Sequence, residues 1–213
     1  MPRVRVKICG ITNLTDAKAA VDLGAAALGF NFYEKSVRNI SPANAYKIIR
    51  ALPKKIEAVG VFVNWSPEAI VALARAVDLD TVQLHGEEPA ATAQVLANYF
   101  QVTKAMRVGK GFGLSQLKPF QSAVRAFLFD ADKPGAYGGT GHRTDWTIAR
   151  RAAKTHDIIL AGGLTPENVA EAILDVRPYA VDVASGVEST PGKKSRAKLR
   201  QFFAEVSRAN RQL

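Results

Sequence analysis

The chain is 213 residues long, 47% hydrophobic and 23% charged, without a long low-complexity tract; this fits one domain, residues 1–213, that needs no metal or disulfide staple. A lone cysteine, Cys9, excludes a disulfide framework, and no stretch reaches the roughly 18 apolar residues of a membrane span. The formal charge of +10 raises nucleic-acid binding as a function class and suits attraction of anionic small molecules.

Short apolar runs rich in Val, Ile, Leu and Phe alternate with amphipathic stretches along the whole chain. The first predicted strand, Val4–Cys9, has no signal-peptide core ahead of it, so a cytoplasmic location and no membrane partner are expected. Thr15-Asp16 opens a helix over Ala17–Leu23, with Gly24 as its stop. After a strand at Ala27–Phe32, Ser41-Pro42 opens Ala43–Leu52, with proline at the first helical position and Pro53 beyond the end. Strands at Ala58–Val63 and Thr81–His85 are followed by helix openings at Ser66-Pro67-Glu68 and Glu87-Glu88-Pro89. A strand at Val102–Arg107 precedes a helix at Leu114–Val124, and one at Ala126–Asp130 precedes a glycine-rich stretch and a helix at Asp145–Thr155. Strands at Ile158–Ala161 and Ala180–Ala184 flank a helix opened by Thr165-Pro166-Glu167, and Ser195–Ser207 reads as a terminal helix. From Lys193 onward there are seven basic residues and one acidic, Glu205, spaced as a solvated outer face. No zinc-finger spacing, RNA-recognition aromatic motif or basic–aromatic interleaving accompanies them, so no nucleic-acid partner is expected.

Eight strand-helix units, mostly with continuous apolar strands, predict a (β/α)8 TIM barrel; a doubly wound open sheet is the alternative fold. In a barrel the active site lies at the carboxyl ends of the strands, where Cys9, Asn31, Asn64, His85, Arg107, Asp130, Gly162 and Ser185 are expected. The seventh and eighth strands end in Gly162-Gly163 and Ser185-Gly186, whose backbone N–H groups suit a phosphate; tight turns alone would also use such glycines. No Walker-type loop is present. Cys9 and Asp130 are a candidate acid/base pair, the alternative being a buried small hydrophobe and a helix cap. His85, His142 and His156 show no metal-ligand spacing.

Several motifs in order carry a more specific signal: Lys7-Ile8-Cys9-Gly10-Ile11-Thr12, Gly29-Phe30-Asn31-Phe32-Tyr33 with Ser36 and Arg38, Gly60-Val61-Phe62-Val63-Asn64, and Val82-Gln83-Leu84-His85-Gly86-Glu87-Glu88. Asp130, Tyr137-Gly138-Gly139-Thr140-Gly141, Asp145-Trp146, Leu160-Ala161-Gly162-Gly163-Leu164-Thr165-Pro166-Glu167, Val181-Asp182-Val183-Ala184-Ser185-Gly186-Val187-Glu188 and Pro191-Gly192-Lys193-Lys194 continue them. On these the chain resembles the phosphoribosylanthranilate isomerases of tryptophan biosynthesis nearly end to end. The resemblance implies a cofactor-free Amadori rearrangement of N-(5′-phosphoribosyl)anthranilate to 1-(2-carboxyphenylamino)-1-deoxyribulose 5-phosphate, in a monomer or homodimer. It also implies Cys9 as general base, Asp130 as general acid, Arg38 on the anthranilate carboxylate and Asp182 near the substrate, orienting the anthranilate amine or another polar group, a structural hydrogen-bond role being the alternative. An acid Asp130 calls for burial, and a basic Cys9 for positive charge nearby, with Lys7 and Arg38 as candidates. Asn39 stands where the family often has an aromatic. His85 reads as a polar core residue. Segment Gly135–Thr144 is the expected mobile closure over substrate. A dual-substrate aminoaldose phosphate isomerase is the second enzymatic reading, against which Cys9 argues, since such enzymes use two aspartates. A phosphate-binding barrel without turnover is the third.

Overall fold

The computed structural model describes residues 3–131 and 146–213. Eight parallel strands close into a barrel in sequence order: β1 (Arg5–Cys9), β2 (Ala27–Asn31), β3 (Glu57–Phe62), β4 (Thr81–Leu84), β5 (Gln101–Val108), β6 (Ala126–Ala131), β7 (Ile158–Leu160) and β8 (Ala180–Val183). β1 pairs with both β2 and β8, so the sheet has no edge and the open-sheet alternative is excluded. Every strand boundary falls within one residue of its predicted position.

The helices are α1 (Leu14–Asp22), α2 (Pro42–Arg50), α3 (Pro67–Val77), α4 (Ala90–Leu96), α5 (Trp146–Ala152), α6 (Val169–Val176) and α7 (Arg196–Asn210). The Ser-Pro openings act as read: Ser41 and Ser66 accept the N–H of Asn44 and Ala69, and proline fills the first turn where no donor is needed. Two helix expectations are corrected. Leu114–Val124 forms only a 3-10 turn at Leu114–Leu117 followed by further turns. Thr165-Pro166-Glu167 opens a turn rather than α6, which begins at Val169; the Asn168 side chain takes the Thr165 N–H (2.9 Å) and donates to the Gly163 carbonyl (2.9 Å), closing that turn. Among the described residues no helix is long and apolar enough to cross a membrane.

Strand side chains alternate between the helix layer and the barrel interior. The outward set (Ile8, Leu28, Phe30, Phe62, Val82, Leu84, Phe127 and Phe129) packs with the helices into the main core. The interior differs. Ala105, Ala126, Leu128, Ile159, Ala161 and Ala180 form a separate apolar cluster on the β5–β8 side, whereas β1, β3 and β4 turn Arg5, Lys7, Glu57, Thr81 and Gln83 to the interior cavity. At the amino-terminal mouth Glu57 accepts from Arg5 (3.1 Å), Arg125 (3.4 Å) and the Thr81 hydroxyl (2.7 Å), and the Tyr179 hydroxyl accepts from Arg125 (2.6 Å) and from Arg5. This polar network spans the mouth opposite the expected site.

A short antiparallel hairpin, β9 (Glu188–Thr190) with β10 (Lys193–Lys194), precedes α7 and was not expected. It corrects the reading of the basic C-terminus: Arg196, Lys198, Arg200, Arg208 and Arg211 are exposed, but Lys194 is buried, its side chain 0% accessible. Its ammonium donates to the Cys9 carbonyl (2.6 Å), the Ala184 carbonyl (3.1 Å) and Glu188 Oε1 (2.9 Å), tying the ends of β1 and β8 together. Lys194→Met removes all three hydrogen bonds at once. It is expected to lower stability by about 3–5 kcal/mol, measured as a reduced urea midpoint at unchanged slope.

Candidate functional site

At the carboxyl end of β1, Lys7 and Cys9 are two residues apart and share a face. The register sets Lys7 beside Asp182 and Cys9 beside Gly29. Lys7 Nζ lies 2.9 Å from Asp182 Oδ1, both side chains being at least nine-tenths buried. Gly29 supplies the space this pair and the thiol need, because a Cβ there would lie 2.8 Å from Cys9 Sγ and 3.2 Å from Lys7 Nζ. Burial opposes the charge on Lys7, yet Asp182 and then Cys9 outweigh it and hold the ammonium above its ordinary range. Burial pushes the Cys9 thiol up; Lys7 and Lys194 pull against it, while Asp182 adds to it. Burial prevails, so Cys9 rests as the thiol.

Asp130, at the end of β6, is buried. Its Oδ2 lies 3.3 Å from Nε2 of His85, whose Nδ1 is 2.7 Å from the Gln83 side-chain nitrogen. His85 is partly buried, and its ring is held between Gln83 and the candidate acid.

Gly162 and Gly163 adopt left-handed backbone (φ 79° and 69°), which suits only glycine without strain. Gly186 lies so close to the preceding loop that a Cβ would approach the Leu164 carbonyl oxygen to 1.9 Å. The two glycine loops therefore pack backbone to backbone and form one cleft with Asp130, Asp182 and Ser185. Six of the eight residues expected to bind or react line that cleft.

The other two adjoin it. Cys9 joins through Lys7 and Asp182, and Arg38 through Glu188. Arg38 Nε and one terminal nitrogen donate to Glu188 Oε1 (2.8 Å) and Oε2 (2.7 Å), a bidentate pair. Burial pushes Glu188 up, but Arg38 and Lys194 together hold its carboxyl below the ordinary carboxylate range.

The remaining strand-end residues divide. Asn31 and Asn64 serve local loop geometry: Asn31 Oδ1 accepts the Tyr33 N–H, and Asn64, at φ 56°, accepts from Glu87 N. Arg107 pairs with exposed Glu87 at 3.0 Å. Tyr137–Gly141 and the expected closure segment Gly135–Thr144 lie outside the described residues. Sequence reading missed Glu188, Lys194 and Gln83 as parts of the site. Pro191-Gly192, with Gly192 at φ 81°, was the available signal for the hairpin that delivers the first two.

Such a barrel, with ionisable groups and glycine loops gathered at one end, defines a (β/α)8 enzyme of the kind that works at its strand ends. A family model for N-(5′-phosphoribosyl)anthranilate (PRA) isomerase matches residues 6–205. The N-(5′-phosphoribosyl)anthranilate isomerase of Trichlorobacter lovleyi is 48% identical over 97% of this chain and 99% of its own, and that of Pelobacter propionicus is 51% identical over 94% of each. The solved phosphoribosyl anthranilate isomerase from Thermotoga maritima superposes with a TM-score of 0.89 at 43% identity, covering 96% of this chain and 98% of that one. Another solved isomerase, in complex with reduced 1-(o-carboxyphenylamino)-1-deoxyribulose 5-phosphate, gives a TM-score of 0.86 at 42% identity, with coverage of 96% and 98%. The chain belongs to the phosphoribosylanthranilate isomerase family, and its activity is that isomerisation in tryptophan biosynthesis.

Because the clash at Gly186 is with backbone, Gly186→Ala forces the β7 and β8 loops apart. It is expected to cost about 1–3 kcal/mol, read by denaturant unfolding, and to shift the amide resonances of Leu164 and Thr165.

Proposed function

We propose that the Amadori rearrangement proceeds here with Asp130 as general acid and Cys9 as general base. The contribution of Asp130 and the candidate phosphate glycines to one cleft, with Cys9 joined to it through Lys7 and Asp182, is the observation that carries this reading. The glycines of the β7 and β8 loops, with Ser185, bind the 5′-phosphate through backbone N–H groups and the Ser185 hydroxyl. The isomerase solved with a reduced deoxyribulose phosphate supports a phosphorylated ligand for this chain.

With the phosphate fixed, Asp130 gives its proton to the ribose ring oxygen. The C1′–O bond breaks as the anthranilate nitrogen lone pair forms the C1′=N iminium. Cys9, its thiol proton first lost to solvent, then removes the C2′ proton as the thiolate, and those electrons become the C1′=C2′ bond of an enaminol. Return of a proton to C1′ and loss of one from the 2′-hydroxyl leave the ketone, so protons balance and no redox partner is needed. Asp182 accepts from the anthranilate amine through the oxygen not bound to Lys7, and Arg38 meets the anthranilate carboxylate. All these groups come from one chain, so a monomer or a homodimer carries the same site.

Turnover of freshly made phosphoribosylanthranilate, followed by loss of anthranilate fluorescence, tests the assignment. Cys9→Ser and Asp130→Asn are each expected to lower kcat by about 10²–10⁴ with unfolding curves unchanged. Retained turnover in both removes the mechanism. Cys9 is the sole thiol, so the pH dependence of its alkylation by iodoacetamide titrates it alone. Because burial raises it, the midpoint is expected above the value of about 8.5 for a free cysteine. A midpoint below neutrality means that Lys7 and Lys194 outweigh burial.

A further inference from the structure

We infer that Glu188 is a positioning residue: by gripping one edge of Arg38 it aims the other edge at the ligand and makes the site selective for an N-aryl group carrying an ortho carboxylate. The inference rests on the reading of Arg38 as the partner of that carboxylate.

A guanidinium offers two bidentate edges, a side edge made of Nε–H with one terminal N–H, and an end edge made of the two terminal groups. Glu188 takes the side edge, at 2.8 and 2.7 Å. The end edge is left for a second carboxylate, so one arginine can hold an internal and an external anion in the same plane. The stem of Arg38 is fixed as well. It crosses Gly10, where a Cβ would come within 2.5 Å of Arg38 Cδ, so only glycine at that position lets the arginine lie there. Glu188 is fixed in turn by Lys194 at 2.9 Å, and the same ammonium holds the carbonyl of Cys9 at 2.6 Å. The aim of Arg38 is therefore referenced to the strand end that carries the thiol. Two cations face one anion in this cluster, and an incoming carboxylate completes the charge balance.

Two ligands on three protein forms test it by titration calorimetry: the reduced product analogue with its carboxylate, and the phenylamino analogue without it, on wild type, Glu188→Gln and Arg38→Lys. Wild type is expected to prefer the carboxylated ligand. Glu188→Gln should weaken that ligand about tenfold and leave the other within about twofold, with kcat reduced less than KM is raised. Arg38→Lys keeps the charge but lacks a fork, and should lose the preference even though it leaves Glu188 in place. Equal weakening of both ligands by Glu188→Gln, or no weakening of either, overturns the positioning role while leaving Arg38 as carboxylate partner. A full preference retained in Arg38→Lys also overturns it, because the edge geometry is then not used. If wild type binds both ligands alike, the reading of Arg38 itself fails, and this inference with it.

Discussion

The arrangement at the carboxyl end of the barrel depends on one buried cation. Lys194 reaches in from the hairpin after β8 and satisfies two carbonyls and a carboxylate that belong to three different segments. An ammonium has three donors, and all three are used. Burial lowers the tendency of Lys194 to stay charged, Glu188 opposes that, and burial has the larger effect. The contact thus stores no large electrostatic surplus; its consequence is geometric. It sets the distance between the ends of β1 and β8, and therefore where Cys9 lies relative to Ser185 and Gly186.

The barrel interior divides its work by polarity and by height. At the amino-terminal mouth, Glu57 and Tyr179 each accept from both Arg5 and Arg125, and the charges pair among themselves. Two residues higher on β1, Lys7 pairs with Asp182 but also reaches the sulfur, so the charge is shared with a reactive atom. The apolar cluster on the β5–β8 side contributes packing and surrounds the base of β6 below Asp130. Stability and chemistry occupy successive layers of the same strands, and small residues such as Gly29 separate them where side chains would collide.

The fold was legible because strand and helix signals are local. Apolar runs, Ser-Pro caps and glycine stops placed all eight strands, and the barrel followed from their count. The misreadings share a different cause. Leu114–Val124 has helical periodicity, but the chain there forms only turns. At Thr165-Pro166-Glu167 the Asn168 side chain bonds back to the Thr165 N–H and the Gly163 carbonyl, closing a turn ahead of the helix. Lys194 sits in a run of basic residues that are otherwise solvated, and its burial depends on carbonyls about 185 and 10 residues away in sequence. Such long-range contacts leave no periodicity to read. In the site, the glycines and the strand-end residues were legible because barrel geometry assigns them a place. The link from Arg38 to Glu188 was not, since it joins residues 150 apart whose types are ordinary at exposed positions.

The resting state of Cys9 is a consequence of the same layering. A thiol in this interior is held above its ordinary range by burial, although two ammonium groups act against that. Were burial removed, the thiolate would be more abundant but also better solvated, and less reactive toward a carbon acid. Basicity rises with the thiol pKa, so a thiolate formed in a dry, cation-lined site is a stronger base than one made abundant by acidity. Lys7 then has a defined part: pinned by Asp182 and kept fully protonated, it supplies field to the sulfur without taking up the proton itself. Lys194 adds field from the other side while its donors are occupied by two backbone carbonyls and Glu188. On the proposed reading of Cys9 as base, burial raises its base strength, and Lys7 and Lys194 limit the accompanying loss of thiolate.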